Sequence, residues 1–177
     1  MCEDRGVIMR PAMPGDFADI LRLNEEWECF TSPLAHERLA ELHEQALYHR
    51  VCEADARVVA FLLAFGPGVD YDSPNYRFFD TGSHDFIYID RIVIDRAYQR
   101  VGLGDALYGD LLDFGRSQGV ARLVCEVDAD PLNTASERFH AQQGFVEVGS
   151  QWVAGGSKRV SLKERAIVDE VCVPLHS

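Results

Sequence analysis

The chain has 177 residues, 47% of them hydrophobic and 26% charged, and 17 Lys and Arg against 29 Asp and Glu leave a formal charge of −12. This length fits one domain with a sizeable core, and this composition excludes a wholly disordered chain. So large an acid excess supplies no basic footprint for a phosphate backbone or an anionic bilayer, and neither nucleic acid nor membrane is expected as a partner.

The longest apolar run, Val58–Phe65, falls far short of the ~20 residues of a spanning helix. The charged start Met1-Cys2-Glu3-Asp4-Arg5 has no apolar stretch behind it of the kind a signal peptide carries. Five scattered cysteines without a CxxC pair make neither a disulfide framework nor a zinc site, and they point to a reducing cytoplasm. Cys52 and Cys125, inside strand-like runs, are expected to be buried.

In chain order, Val7–Arg10 reads as a short strand that Pro11 and Pro14-Gly15 break. Asp16 is a good N-cap for a helix carrying Phe17, Ile20 and Leu21. A second helix is expected from about His36 to Ala46, with Leu39, Leu42 and Ala46 on one face. Tyr48–Glu53 and Arg57–Phe65 read as a hairpin turning at Ala54-Asp55-Ala56. Gly66–Asp85, with Tyr71, Tyr76, Phe78 and Phe79 among its polar residues, reads as a long irregular loop. Its rings either tuck it against the core or make it a lid on a substrate pocket. Phe86–Ile94, β-branched and aromatic almost throughout, belongs in the middle of a sheet covered on both faces. Leu103, Leu107, Leu111 and Phe114 mark a helix that Gly119 ends, and Ala121–Asp128 is another strand. Thr134-x-x-Glu137 reads as a capping box opening a helix that Gly144 ends. Phe145–Val153 and Lys158–Ile167 form a last strand pair about Ala154-Gly155-Gly156-Ser157. This order predicts one α/β domain around a mixed sheet.

The stretch from Ile92 to Asp105 is a buried strand, a turn, and glycines at the start of a helix. First-turn amides of a helix lack internal acceptors and sit at the positive end of its dipole, so the geometry suits a phosphate. Gly102 and Gly104 would let the backbone approach that anion closely. No Gly-Lys-Ser/Thr is present here, and Leu107 stands where a dinucleotide fingerprint needs its third glycine. What remains is Gln-x-x-Gly-x-Gly, Gln99 to Gly104.

Together with the strand and helix next in the chain, this segment resembles the pyrophosphate-binding region of the GCN5-related N-acetyltransferases (GNAT). That family continues with Asn-x-x-Ala/Ser-x-x-aromatic-Tyr-x-x-x-Gly-Phe. Here Asn133, Ser136, Phe139, His140, Gly144 and Phe145 fill those positions, and Met9-Arg10-Pro11-Ala12 ahead of Asp16 is similar to the family's opening. The resemblance implies a single-domain mixed, largely antiparallel sheet with helices on both faces, spanning 1–165, with 166–177 as a C-terminal tail. It implies transfer of an acetyl group from acetyl-CoA to a primary amine, by direct attack in a ternary complex, with no metal. The partner expected is a small-molecule amine, and a homodimer is compatible with this reading.

Position by position, the resemblance implies that the backbone of Ile92, Val93 and Ile94 pairs with the pantetheine arm. Gln99, Arg100, Val101, Gly102, Leu103, Gly104 and Asp105 would form the cofactor loop, the amides from Arg100 onward holding the pyrophosphate. Asn133 would hydrogen-bond the pantetheine near the sulfur. Val101 replaces the family's common basic residue, His140 stands where a tyrosine acid is frequent, and Asp128–Leu132 is longer than the usual turn.

The reaction asks for a base, because an alkylamine with a pKa near ~10.4 is mostly charged at neutral pH. Asp90, in mid-strand among aliphatic neighbours, is the first candidate, since burial makes a carboxylate a better proton acceptor at neutral pH. Its alternative is a structural ion pair with Arg91, and Glu126 on the neighbouring strand is the second candidate. His140 is the candidate acid for the leaving thiolate and a further cofactor contact, its alternative being a satisfied helix histidine. A catalytically silent acyl-CoA sensor is the runner-up function; it needs the phosphate loop and Asn133 but neither Asp90 nor His140.

Overall fold

The computed structural model describes residues 6–28, 31–82 and 85–167. Cys2, Cys29, Cys172 and residues 168–177 of the expected tail lie outside these. Seven strands form one sheet in the order β1-β2-β3-β4-β5-β7-β6. They are β1 (Ile8–Pro11), β2 (Tyr48–Ala54), β3 (Arg57–Phe65), β4 (Phe86–Ile94), β5 (Arg122–Asp130), β6 (Val146–Val153) and β7 (Lys158–Ala166). Every pairing is antiparallel except β4 with β5. A parallel pair needs a crossover, and α4 (Leu103–Ser117) supplies it.

Helices cover both faces, as expected. On one face Leu103, Leu107, Tyr108, Leu111 and Leu112 of α4 pack against Cys52, Ala60, Leu62, Ala64, Ile87, Leu123 and Cys125. The opposite face carries α1 (Phe17–Glu26), α2 (His36–Gln45) and α3 (Pro74–Phe79). There Phe17, Ile20, Leu23 and Leu39 meet Val51 and Phe61, while Leu42, Tyr76 and Phe79 meet Leu63, Phe65, Phe86 and Tyr88. β3 is buried along all but its first residue, which explains its unbroken apolar sequence. Among the described residues both cysteines, Cys52 and Cys125, are free and buried in the core.

Several local expectations change. The segment 66–85 is not structureless: Ser73 accepts the Tyr76 N–H at 3.4 Å, Pro74 takes the first helical position, and α3 begins there. Six residues give too few turns for a visible apolar period. The helix α5 (Thr134–Gln142) is capped one residue earlier than the Thr134 box, by Asn133, whose Oδ1 accepts the Ser136 N–H at 3.1 Å. Glu137 cannot close a box because its carboxylate is bound to the Nζ of the buried Lys163 at 2.9 Å. Asp16 precedes α1 but does not cap it, since both its oxygens bind the Arg10 guanidinium at 2.8 Å. At the other end, β7 runs to Ala166 and the Ile167 N–H bonds Ala121 O at 2.8 Å, so the last strand ends within a residue of its expected end.

The hairpin turn falls where the sequence puts it. Asp55 and Ala56 both take left-handed φ, 51° and 59°, the signature of a two-residue hairpin loop whose twist matches its strands.

Candidate active site

β4 and β5 pair only from Phe86 to Tyr88 against Arg122 to Val124, then diverge. The divergence leaves one edge of the β4 backbone facing a groove of about 350 Å³, walled by Ile92, Val93 and Ile94 on one side and by Asn133 and α5 on the other. Gln99 lies at its end. The connection out of β4 is a 3₁₀ turn, Arg96–Tyr98, capped by the Asp95 carboxylate. Beyond it Arg100 and Gly102 take left-handed φ of 62° and 88°. Gly102 is the N-cap of α4 and its carbonyl accepts the Ala106 N–H, so the amides of Leu103, Gly104 and Asp105 stand at a free helix start. The two glycines have different reasons. A side chain on Gly102 would meet open space but a strained φ, whereas a Cβ on Gly104 would lie 2.8 and 2.9 Å from the Phe139 ring. Gly104 therefore serves the close crossing of α4 and α5. Val101 is exposed, and Asp105 is held by Gln143 at 2.6 Å.

A second cavity of about 580 Å³ opens beside the groove and shares Ile92, Asn133, Ser136 and His140 with it. Its walls are the turn after α1, the Tyr71–Asn75 segment, and the diverging ends of β4 and β5. The aromatic loop packs its rings on the core, and through Tyr71 it also lines the cavity.

Glu126, on β5, points into this cavity. Tyr88 Oη donates to its carboxylate at 2.7 Å, and the Asn75 side chain is a second hydrogen-bond partner. Asn75 is fixed in turn by Gln151, whose Nε2 donates to Asn75 Oδ1 at 2.6 Å. Loss of water around the carboxylate, opposed by the Tyr88 hydrogen bond and reinforced by the charge of Asp90, pushes Glu126 up to about 7. The same burial pushes the Tyr88 phenol well above its ordinary range.

Asp90 has a different environment. The β3–β4 register passes from Leu63↔Arg91 to Ala64↔Ile89, so Asp90 is the extra residue of a β-bulge. Its side chain is only 4% exposed, with one oxygen on Arg91 Nε at 2.6 Å and the other accepting from Tyr71 Oη at 2.5 Å. Arg91 continues to Asn24 Oδ1 at 2.8 Å, which ties the bulge to α1. The ion pair offered as the alternative for Asp90 is the arrangement found.

His140 is buried between α4 and the sheet. Its Nδ1 lies 2.8 Å from Ser136 O, which can only accept, so Nδ1 carries the proton and Nε2 accepts from Tyr108 Oη at 2.8 Å. Burial pushes its pKa down. Both nitrogens are committed, leaving no N–H for a departing group, and this is the satisfied histidine of the second reading. Tyr88 and Asn75 were not singled out for the site by the sequence, whereas Tyr71 belongs to the aromatic loop that it offered as a pocket lid. Only Tyr88 left a trace, two residues before Asp90 on the same strand, and Asn75 left none because nothing local links it to Glu126.

Among the described residues, no group of three or more His, Cys, Asp or Glu comes together to hold a metal, and no helix is long and apolar enough to cross a membrane. Comparison with curated proteins returns no match. Among solved structures the fold is similar to Ard1 from Thermoplasma volcanium, with a TM-score of 0.76 at 20% identity, covering 92% of this chain and 99% of that one. It is also similar to the ribosomal-protein-S18-alanine N-acetyltransferase from Escherichia coli (TM-score 0.69, 21% identity, 93% and 97% covered). A third likeness is yncA from Salmonella typhimurium, solved with its cofactor acetyl-CoA (TM-score 0.68, 21% identity, 95% and 97% covered). The model of the acetyltransferase (GNAT) family matches residues 18–145, from the first helix to the residue before β6. That match spans the groove and both candidate carboxylates, and the chain belongs to the GNAT acetyltransferase family.

Proposed function

We propose that the protein transfers the acetyl group of acetyl-CoA to a small primary amine by direct attack, with Glu126 as the base. The observation that carries this reading is the environment of Glu126. It is a carboxylate that burial raises to about pKa 7, held in place by two neutral donors, on the wall shared by strands that diverge toward the groove. Such a group accepts a proton from an ammonium at neutral pH without being trapped in an ion pair. Asp90, with both oxygens bound, holds the bulge and Tyr71 in position.

The residues fit the cofactor. Bound acetyl-CoA supplies the activated acyl group. The β4 edge at Ile92–Ile94 offers backbone hydrogen bonds to its arm, and Gly102–Asp105 offer first-turn amides to its pyrophosphate. The exposed Val101 adds no charge there, so this anion contact rests on the backbone. Asn133 spends its Oδ1 on the α5 cap, which leaves its Nδ2 for the pantetheine. A β4 N–H, at Ile92 or a neighbour, would steady the developing oxyanion. His140 positions α5 through Ser136 and Tyr108. The chain needs no acid on the leaving side, because a thiol of pKa about 8.5 is a fair leaving group as its anion. The free, buried Cys52 and Cys125 support a reducing, cytoplasmic setting for this reaction.

The test is thiol release from acetyl-CoA across an amine panel, with wild type and Glu126→Gln compared over pH 5.5 to 9. Wild-type kcat/KM should rise with pH through Glu126's pKa near 7, and the variant should lose about 10²–10⁴-fold in rate while binding CoA normally. Full activity in the variant would remove Glu126 from the reaction. CoA binding without turnover of any amine would favour the sensor.

A further inference from the structure

We infer that the acceptor is a monocationic amine carrying no carboxylate or other anionic group, because the charged side chains of the larger cavity resolve into three ion pairs and one unmatched carboxylate. The inference rests on the transferase reading above and names the chemical class that its pocket takes. Besides His140, whose two ring nitrogens are already bound, seven acidic or basic side chains line the cavity. Arg91 pairs with Asp90 at 2.6 Å, Lys158 with Asp128 at 2.8 Å, and Arg38 with Asp72 at 3.0 Å. The seventh, Glu126, has no cationic partner among the described residues and is held by Tyr88, Asn75 and its own backbone.

The pairs differ in how firmly their cations are held. The Asp90–Arg91 pair is 4% and 7% exposed, and Arg91 also binds Asn24, so its charge is spent inside the protein. Asp128 is 9% exposed, and taking Lys158 away from it would leave a buried carboxylate without a counter-ion. Arg38 stands at the rim, where an exposed pair alone would hold it weakly. It also binds Glu41 at 3.0 Å and lies 5.6 Å from the centre of the Tyr71 ring. Each cation therefore has a standing partner, and an incoming carboxylate would meet Glu126 with no free positive charge to offset it. One ammonium, placed at Glu126, completes the charge balance. A carboxylate on the carbon next to that ammonium would lie against Glu126, where like charges repel.

Matched pairs of acceptors that differ only by a carboxylate test this: tyramine with tyrosine, histamine with histidine, and isoamylamine with leucine, each with acetyl-CoA and wild-type protein. Whichever side-chain shape the pocket prefers, kcat/KM should favour the decarboxylated member by about tenfold or more, since like-charge contacts are strongly disfavoured. In Asp128→Asn, Lys158 loses its partner and becomes available to a carboxylate. The amine-to-amino-acid ratio should then shrink several-fold, through a lower KM for the amino acid. Equal or better use of the amino acids by wild type would overturn the inference while leaving the transferase reading intact. An unchanged ratio in a folded Asp128→Asn would overturn the ion pairs as its origin. Turnover of no member of any pair would overturn the transferase reading itself.

Discussion

The groove and the cavity beside it share a wall but are made of different material. The groove is a backbone site: a strand edge exposed by the divergence of β4 and β5, and the amides at the start of α4. The cavity is a side-chain site, in which Tyr88 from β4, Asn75 from α3, Glu126 from β5 and Gln151 from β6 meet across separations of up to 76 residues. Backbone sites constrain sequence locally, because only certain residues permit a left-handed turn or a close helix crossing, and Gly102 and Gly104 record that constraint. A side-chain site is assembled by topology and leaves no contiguous pattern. Reading one family member from sequence therefore gives the cofactor before it gives the base.

The same contrast separates the two central carboxylates, and substitution should divide them most sharply. Asp90→Asn leaves Arg91 as a buried cation without its counter-ion, and such losses cost about 3–5 kcal/mol. A large drop in melting temperature is the expected result, and in whatever folded protein remains the rising limb of the pH–rate profile should persist with its midpoint moved to lower pH, because the charge of Asp90 no longer raises Glu126. An Asp90→Asn that is stable but inactive would reverse the assignment of base and strut.

Next in size is a change confined to the groove. Gly102→Val fits the open space around its Cβ but not the φ of 88°, so the loop should rearrange at a cost of about 1–2 kcal/mol. Calorimetry should show CoA binding weakened by about tenfold, in line with that energy. Equal CoA affinity in the variant and the wild type would move the pyrophosphate away from this helix start.

Smaller effects are expected from the groups that hold Glu126. The Tyr88 and Asn75 hydrogen bonds stabilise its charged form, so Tyr88→Phe and Asn75→Leu should each move the rising limb of kcat/KM to higher pH. A residue that only supported the fold would lower the melting temperature and leave that midpoint alone.

The smallest signal is thermodynamic. Glu126 has a raised folded pKa, about 7 against an ordinary 4.5, so the native state holds this proton more tightly than the unfolded chain. Between those values the native state binds more protons, and stability through this group falls as pH rises, levelling off above about 7. The melting temperature of wild type relative to Glu126→Gln should therefore decline from pH 4.5 to 7. A flat difference across that window would mean that Glu126 titrates as an ordinary exposed carboxylate.

Much of the fold was legible because its signals are local. The alternation and apolar runs of β2, β3 and β4 reflect one-sided or two-sided burial, and the glycines after the helices reflect left-handed caps. The phosphate loop and the Asn133–Phe145 pattern carried the family. The misses fall where a competing partner stood far away in sequence or the element was short. Lys163 took Glu137 from its capping box, Arg10 took Asp16 from α1, and six residues of α3 were too few to show a period.

The sequence by itself determined the sheet strands, the helix between β4 and β5, the glycines at that helix start and the shortlist Asp90, Glu126 and His140. Choosing among that shortlist took the tertiary structure. Asp90 and Glu126 are both acids in mid-strand, and nothing in their neighbours along the chain tells them apart. A bulge turns Asp90 onto Arg91 and Tyr71, whereas Tyr88 from β4 and Asn75 from α3, the latter fixed by Gln151 of β6, give Glu126 two neutral donors instead. A carboxylate's basicity is set by the water it loses and the charges it faces, and both are decided by residues that only folding brings near.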